Sequence, residues 1–252
     1  MRLVLELNCE NEFSIPVHYN YHIQSLLYNS ISPKLADILH NKGFPIQGRK
    51  FKLFTFSRIL GRYQTNNKKG EISFSSPFRL IVSSVLREFI EEIAEELLLK
   101  ETVRIASQRV SLNSVEVSDF TSDREKLKIN MLSPTTIYST LSRADGRKKT
   151  YYYNPFEREF GELISENAKK KFRAFYGNEP GGGIKLTPLK VNNNNEKIIT
   201  YKNTVIKGWM GTYELSGDRE LIKIVYDTGL GGKNPQGFGC FEVLGRNNKE
   251  KD

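Results

Sequence analysis

The stretch Gly229-Leu-Gly-Gly-Lys-Asn-Pro-Gln-Gly-Phe-Gly-Cys-Phe241 places five glycines within eleven residues, where a hairpin turn requires only one or two. Glycine admits backbone angles closed to other residues and lets a second polymer's backbone come close. Lys233, Asn234 and Gln236 add one cation and two amides, groups suited to phosphate oxygens and base edges. An apolar run, 221–226, precedes the stretch and another, 240–244, follows it, so the pattern predicts strand, glycine loop, strand. A Walker A loop needs Ser or Thr after Gly232-Lys233, where Asn234 stands. A dinucleotide-binding fingerprint must open a helix, and this loop opens onto a β-type segment. Composition alone also allows a solvated hairpin; near the end of a basic chain, the loop points to a nucleic-acid backbone as its ligand.

The charge agrees. In 252 residues, 38 Lys and Arg stand against 29 Asp and Glu, a formal net charge of +9. That excess favours a polyanion through phosphate neutralisation and counterion release, and it selects no finer class. The length suits one large domain or two ordinary ones. Cys9 and Cys240 form no CxxC pair, and the histidines are His18, His22 and His40, a set that argues against structural zinc and for a reducing compartment. Residues 1–13 alternate like a strand and lack an apolar signal core, and no run reaches the length of a membrane span. The expectation is a soluble cytoplasmic protein with no cofactor, no metal and no membrane contact.

Outward from the loop, each half of the chain reads as strand, helix, strands, helix, strand. Leu3, Leu5 and Leu7 share one face of a strand, helices follow at 21–30 and from Ser32-Pro33 to Gly43, and β-type runs fall at 51–60, 71–75 and 78–82. The helix at 86–99 sets Phe89, Ile90, Ile93, Ala94, Leu97 and Leu98 against a glutamate face. After a polar boundary at 119–126 the round repeats, with a strand at 127–132, a second run at 135–141, a helix to about 176, and strand-like pieces at 184–191, 198–206 and 208–215. The fold class predicted is α+β: two tandem ferredoxin-like (RNA-recognition-like, βαββαβ) domains, 1–120 and 121–252, the second carrying the glycine-rich loop. No sequence repeat links the halves; the duplication rests on element order.

Several basic segments compete for the chemistry. Arg143, Arg147, Lys148 and Lys149 precede Tyr151, Tyr152 and Tyr153, a pattern fitting both a stacking and phosphate surface and a solvated hairpin. The run 169–173 at a helix C-terminus is also what the helix dipole favours. His40 ends a short helix, where histidine often serves as a cap. With no carboxylate cluster for metals and no Ser-His-Asp order, an RNA-cutting chain of this composition would use the substrate's own 2′-hydroxyl, with His, Tyr and Lys moving protons and holding charge.

The segments Gln24-Ser-Leu-Leu-Tyr28-Asn, Leu35-Ala-x-x-Leu39-His40, Lys52-Leu-Phe-Thr-Phe56-Ser57, Leu132-Ser-Pro134, Gly208-Trp209 with Tyr213, and the glycine loop itself carry a resemblance. Over nearly its whole length the chain resembles the CRISPR repeat-processing endoribonucleases of the RAMP superfamily. The resemblance implies metal-independent cleavage of precursor RNA within each repeat, with Tyr28, His40 and Lys52 as the catalytic set. His40 is then the general acid or base, Tyr28 its partner at the 2′-hydroxyl, and Lys52 the cation opposing phosphorane charge, with Lys42 and Lys50 close competitors. It assigns repeat-RNA binding to Gly229, Gly231, Gly232, Lys233, Asn234, Gln236, Gly237 and Gly239, with Arg147, Lys148 and Lys149 as a second basic surface. Bulky replacements at Gly231 and Gly232 are expected to weaken RNA affinity and spare the fold. The alternative within the superfamily is a non-catalytic subunit that holds repeat RNA in an interference complex; other interference subunits and a homodimer remain open partners.

Overall fold

Alternating burial builds the first sheet. In a computed structural model, which describes residues 1–100, 102–120, 124–142 and 146–245, Leu3, Leu5 and Leu7 of β1 (Arg2–Asn8) point inward together. The chain continues through β2 (Phe13–Pro16), α1 (Asn20–Asn29), α2 (Pro33–Asp37), β3 (Phe44–Ile46), β4 (Arg49–Phe51) and β5 (Phe54–Phe56). It goes on through β6 (Tyr63–Asn66), β7 (Glu71–Phe74), β8 (Phe78–Ser84), α3 (Arg87–Lys100), β9 (Thr102–Ile105) and β10 (Gln108–Ser118). The sheet order is β5-β8-β1-β10-β9, with every neighbouring pair antiparallel. Taking β1, β5, β8 and β10 as the four strands of a βαββαβ unit, the order is second, third, first, fourth, with β9 added at the edge. The polar segment 61–70, which lies between two of the expected β-type runs, contributes β6, which pairs with β7. In α3, Phe89, Ile90, Ile93 and Leu97 are buried as the periodicity predicts, whereas Leu98 is 59% exposed.

The second half repeats this order with different sequence. Its elements are β11 (Lys126–Met131), β12 (Tyr138–Ser142), β13 (Lys148–Tyr152), α4 (Arg158–Tyr176), β14 (Ile184–Lys190), β15 (Glu196–Tyr201), β16 (Thr204–Trp209), β17 (Thr212–Gly217), α5 (Arg219–Thr228) and β18 (Phe241–Val243). The sheet runs β14-β17-β11-β18, again second, third, first, fourth, and again antiparallel throughout. Hairpins β12–β13 and β15–β16 are insertions that meet around Ile199, Tyr201, Ile206 and Phe238, with Tyr152 packed alongside. The polar boundary lies partly outside the described residues, as does Arg143. No helix among the described residues is long and apolar enough to cross a membrane.

Two strand expectations are overturned, the first because 198–206, read as one piece, spans the turn of hairpin β15–β16. The apolar run 221–226 is not a strand but the middle of helix α5, capped by Asp218, whose Oδ1 accepts from the backbone N–H of Glu220 at 2.9 Å and of Leu221 at 3.0 Å. From residue 221 to 228 only Lys223 is exposed, because α5 packs against α4 and β17 of its own half and against β5 and β8 of the other. Read alone, the run is six residues, five of them apolar or aromatic, too short to separate a buried strand from a helix; the helical signal lies in its polar residues Glu220, Lys223 and Asp227, at i, i+3 and i+7.

Candidate nucleic-acid interface

The glycine loop leaves α5 and is gripped by both halves. A Cβ on Gly231 would stand 2.3 Å from the Thr136 carbonyl oxygen, and one on Gly239 would stand 2.1 Å from that of Leu230. Both residues have positive φ, so no other residue fits without displacing backbone. From the first half, Asn20 Nδ2 donates to the Gln236 carbonyl at 2.6 Å, Gln24 Nε2 to that of Pro235 at 2.5 Å, and Thr55 Oγ1 to that of Phe238 at 2.8 Å. From the second half, Lys171 on α4 donates to the carbonyls of Gly229 at 2.6 Å and Gly231 at 3.0 Å. Asn234 closes the loop on itself, its Nδ2 donating to the carbonyls of Leu230 and Phe238. The surplus glycines therefore permit close approach of the protein's own backbone. Gly229, Gly231, Asn234, Gly237 and Gly239 are buried; Gly232, Lys233 and Gln236 retain partial exposure.

Those three face a cleft between the halves of about 820 Å³. Its lining includes the cations Arg49, Lys50, Lys52, Lys171, Lys202 and Lys233 and, among the described residues, no carboxylate. Such a wall attracts a polyanion and repels an acidic surface. Tyr28 and His40 line the same cleft.

The order of elements explains how His40 arrives there. Ser32 Oγ accepts from the Leu35 N–H, and Pro33 begins α2 without an N–H to lose. The helix then widens into a π-helical turn over Ile38–Lys42 and stops at Gly43, whose φ of +59° and close contact with the Phe51 carbonyl exclude a side chain. His40 is exposed on this turn, and its ring meets that of Tyr28 edge to face with centroids 5.9 Å apart. His40 Nδ1 lies 2.9 Å from Asn41 Oδ1, and Asn41 Nδ2 donates to Asp37, a chain that orients the imidazole. Lys52 returns across the turn and donates to the His40 carbonyl at 2.5 Å.

Environment separates these groups. Burial, with a smaller contribution from Tyr201, pushes the Tyr28 phenol up to about 12, so it keeps its proton at neutral pH. Burial and then the neighbouring Lys50 lower the Lys52 ammonium. Of the three lysines in contention, Lys42 turns outward to Asp37 at 3.9 Å and is absent from the cleft lining. Lys50 lines the cleft but is exposed and donates to the Asn41 carbonyl. Lys52 is half-buried and joined directly to the His40 turn. The basic surface at Arg147, Lys148 and Lys149 is exposed along hairpin β12–β13 and lies outside the cleft lining, to which this hairpin contributes Tyr138 and Thr140.

Two family models divide the chain. The one described as CRISPR-associated protein Cas6, N-terminal, matches residues 14–116, and CRISPR associated protein Cas6, C-terminal, matches residues 115–243. The chain belongs to the Cas6 family. It is 31% identical to the CRISPR-associated endoribonuclease Cas6 1 of Methanocaldococcus jannaschii, over 100% of this chain and 96% of that protein. It is 28% identical to the CRISPR-associated endoribonuclease Cas6 of Pyrococcus furiosus, over 97% of this chain and 90% of that protein. A solved structure described as CRISPR associated protein Cas6 superposes with a TM-score of 0.79 at 26% identity, covering 97% of this chain and 99% of that one.

Within this Cas6 fold, sequence reading missed the floor of the cleft. Lys171 belongs to the basic run 169–173, which also suits the dipole at a helix C-terminus, yet it is 1% exposed. Burial lowers its ammonium to about 7. Asn167, one turn earlier, is also buried and lines the cleft. The available signal was spacing: Phe160, Ile164, Asn167, Ala168, Lys171 and Phe172 share one helical face. Lys169 and Arg173, on the other side, pair with Glu166 and Glu179 as a solvated basic end would.

Proposed function

We propose that this Cas6 protein cleaves CRISPR precursor RNA within its repeats, without metal, the repeat strand lying in the cation-lined cleft. The observation that carries this reading is that Tyr28, His40 and Lys52 lie together and line the same cleft as the partly exposed residues of the glycine loop. The division into units 1–120 and 121–252 is part of the same reading: the first supplies the reacting groups and the second the loop.

The chemistry follows from the groups present. The ribose 2′-oxygen attacks the adjacent phosphorus, and the bond from phosphorus to the 5′-oxygen breaks. This leaves a 2′,3′-cyclic phosphate, which can open to a 3′-phosphate, and a 5′-hydroxyl. One proton leaves the 2′-hydroxyl and one reaches the 5′-oxygen; His40, exposed and held by Asn41, is the group that moves a proton. Tyr28 retains its phenolic proton, so its role is to donate a hydrogen bond to the attacking hydroxyl or a phosphoryl oxygen, not to act as a base. Lys52 opposes negative charge that develops on the phosphorane. Gly232, Lys233 and Gln236 touch the RNA, while Gly229, Gly231, Asn234, Gly237 and Gly239 serve binding by shaping the loop.

The test uses labelled repeat RNA in excess chelator. Cleavage is expected to proceed, and to disappear when a 2′-deoxy nucleotide stands just before the scissile phosphate. Loss of activity in chelator with recovery in magnesium, or cutting of the deoxy substrate, refutes the mechanism.

A further inference from the structure

Among the described residues, two buried side-chain polar atoms have no hydrogen-bond partner, and both belong to this cleft: Asn167 Oδ1 and Gln236 Oε1. Both are acceptors. Asn167 is only 5% exposed, on the helix face it shares with Phe160, Ile164, Ala168, Lys171 and Phe172. An unpaired amide in such a place costs stability, and a leucine would fit the same face without that cost. Its neighbour on the next turn, Lys171, is committed to the carbonyls of Gly229 and Gly231 and leaves the amide unanswered.

The surroundings suit a flat, polar guest. Tyr138 presents its ring beside Gly232, close enough that a Cβ there would touch it at 3.4 Å. The Lys233 ammonium lies 5.1 Å from the centre of that ring. The cleft thus offers an aromatic face for stacking, a cation for phosphate and unpaired acceptors for a base edge. Among the described residues neither amide nitrogen has a hydrogen-bond partner, so Asn167 offers an acceptor and a donor side by side, as an amide does when it reads an exocyclic amine and the adjacent ring nitrogen. Adenine and cytosine present that pair on one edge, an exocyclic amine beside a ring-nitrogen acceptor, and guanine presents its amine beside N3.

We infer that Asn167 is a specificity-determining residue: its Oδ1 accepts from the exocyclic amine of a nucleobase in the bound RNA, while Tyr138 stacks on the base and Lys233 faces its phosphate. The inference rests on the reading of the cleft as an RNA site and goes beyond it by naming the edge that is read. Adenine, cytosine and guanine share the chemistry, and analogues separate them.

The experiment is an amine-deletion scan of the repeat RNA, made uncleavable by a 2′-deoxy nucleotide at the scissile position. Single adenosines are replaced by purine riboside, cytidines by pyrimidin-2-one riboside and guanosines by inosine. Binding to the wild type is compared with binding to Asn167→Ala and to the shape-conserving Asn167→Leu. One position is expected at which losing the amine weakens wild-type binding about tenfold, within the range measured for good base-edge contacts. Both variants then bind the natural repeat more weakly and no longer distinguish the analogue at that position. The wild-type scan needs no mutant to fold, and the absence of any amine-sensitive position overturns the inference. So does a variant that discriminates as the wild type does, since the amide is then answered by solvent alone. If the wild type does not bind repeat RNA at all, the reading of the cleft as an RNA site fails first.

Discussion

In the first half of the chain the helix after the opening strand is α1, ten residues long, burying Asn20, Ile23, Leu26 and Leu27; in the second it is α4, nineteen residues long, burying Asn167 and Lys171 among its apolar side chains. The two helices hold equivalent places in sheets of the same strand order. After α1 the chain makes the short excursion through α2, the π-helical turn and hairpin β3–β4 that carries His40, Lys50 and Lys52. The long α4 instead forms the cleft floor and anchors the glycine loop. The closing helices differ as sharply: α3 shows a glutamate face to solvent, whereas α5 is enclosed between the halves. Under the proposed function, a duplicated scaffold then assigns reacting groups to one copy and grip to the other, because what lies between strands changes without altering the order in which they pair.

That division can be broken from either side. The largest effect is expected at His40. A positioned acid or base contributes roughly 10²- to 10⁴-fold, so His40→Ala should slow single-turnover cleavage by that factor. Repeat-RNA affinity, measured by fluorescence anisotropy, should change little. An active His40→Ala enzyme would mean that the histidine only ends its helix and that Tyr28 and Lys52 carry the reaction.

The second half should fail differently. Gly239→Ala and Gly231→Ala force a Cβ to within 2.1 Å and 2.3 Å of carbonyl oxygens at positive φ. Overpacking and left-handed strain together cost about 2–4 kcal/mol. Denaturant titration should register that loss, whereas Gly232→Ala, at an ordinary φ and 3.4 Å from Tyr138, should fold normally and weaken RNA binding. The original expectation grouped Gly231 with Gly232; the structure separates them. Equal stability of all three variants would remove the loop from its place between the halves.

A pH dependence sharpens the role of α4. Lys171 is lowered to about 7 from its ordinary 10.5 by burial, so between those values the unfolded chain binds more protons than the folded one. Stability contributed through this group therefore rises with pH from about 7 to about 10.5, by an amount on the order of a few kcal/mol. Lys171→Met should flatten that rise while removing the hydrogen bonds to the loop. The comparison requires unfolding free energies of both proteins across the same pH series. An unchanged slope in Lys171→Met would show that the amine keeps its proton throughout.

The smallest effect belongs to single cleft cations. Lys233→Ala or Lys202→Ala should reduce the slope of log affinity against log salt by about one phosphate contact each. A slope unaffected by either change would place the RNA backbone elsewhere, with hairpin β12–β13 the next surface to vary.

What the sequence determined by itself was whatever depends on neighbours along the chain and on bulk charge. Alternation in β1 and β11, the Ser32-Pro33 helix start, the stop at Gly43, the one-sided face of α3 and the excess of lysine and arginine are all local or additive quantities. They were enough for the tandem ferredoxin-like order; Tyr28, His40 and Lys52 came from the family resemblance, and the structure brings all three to one cleft. Tertiary structure decided the rest. The run 221–226 was too short to be told helix from strand by its apolar residues, and packing against both halves shows it to be the middle of a helix whose polar residues are Glu220, Lys223 and Asp227. Whether a glycine served RNA or the fold depended on what stood opposite it, and for Gly231 that is Thr136, far away along the chain. Lys171 and Lys169 stand two residues apart in one basic run, and helical geometry sends the first into the core and leaves the second partly exposed beside Glu166. Composition records how many charges a segment holds; only the packing of distant segments determines which of them water can reach.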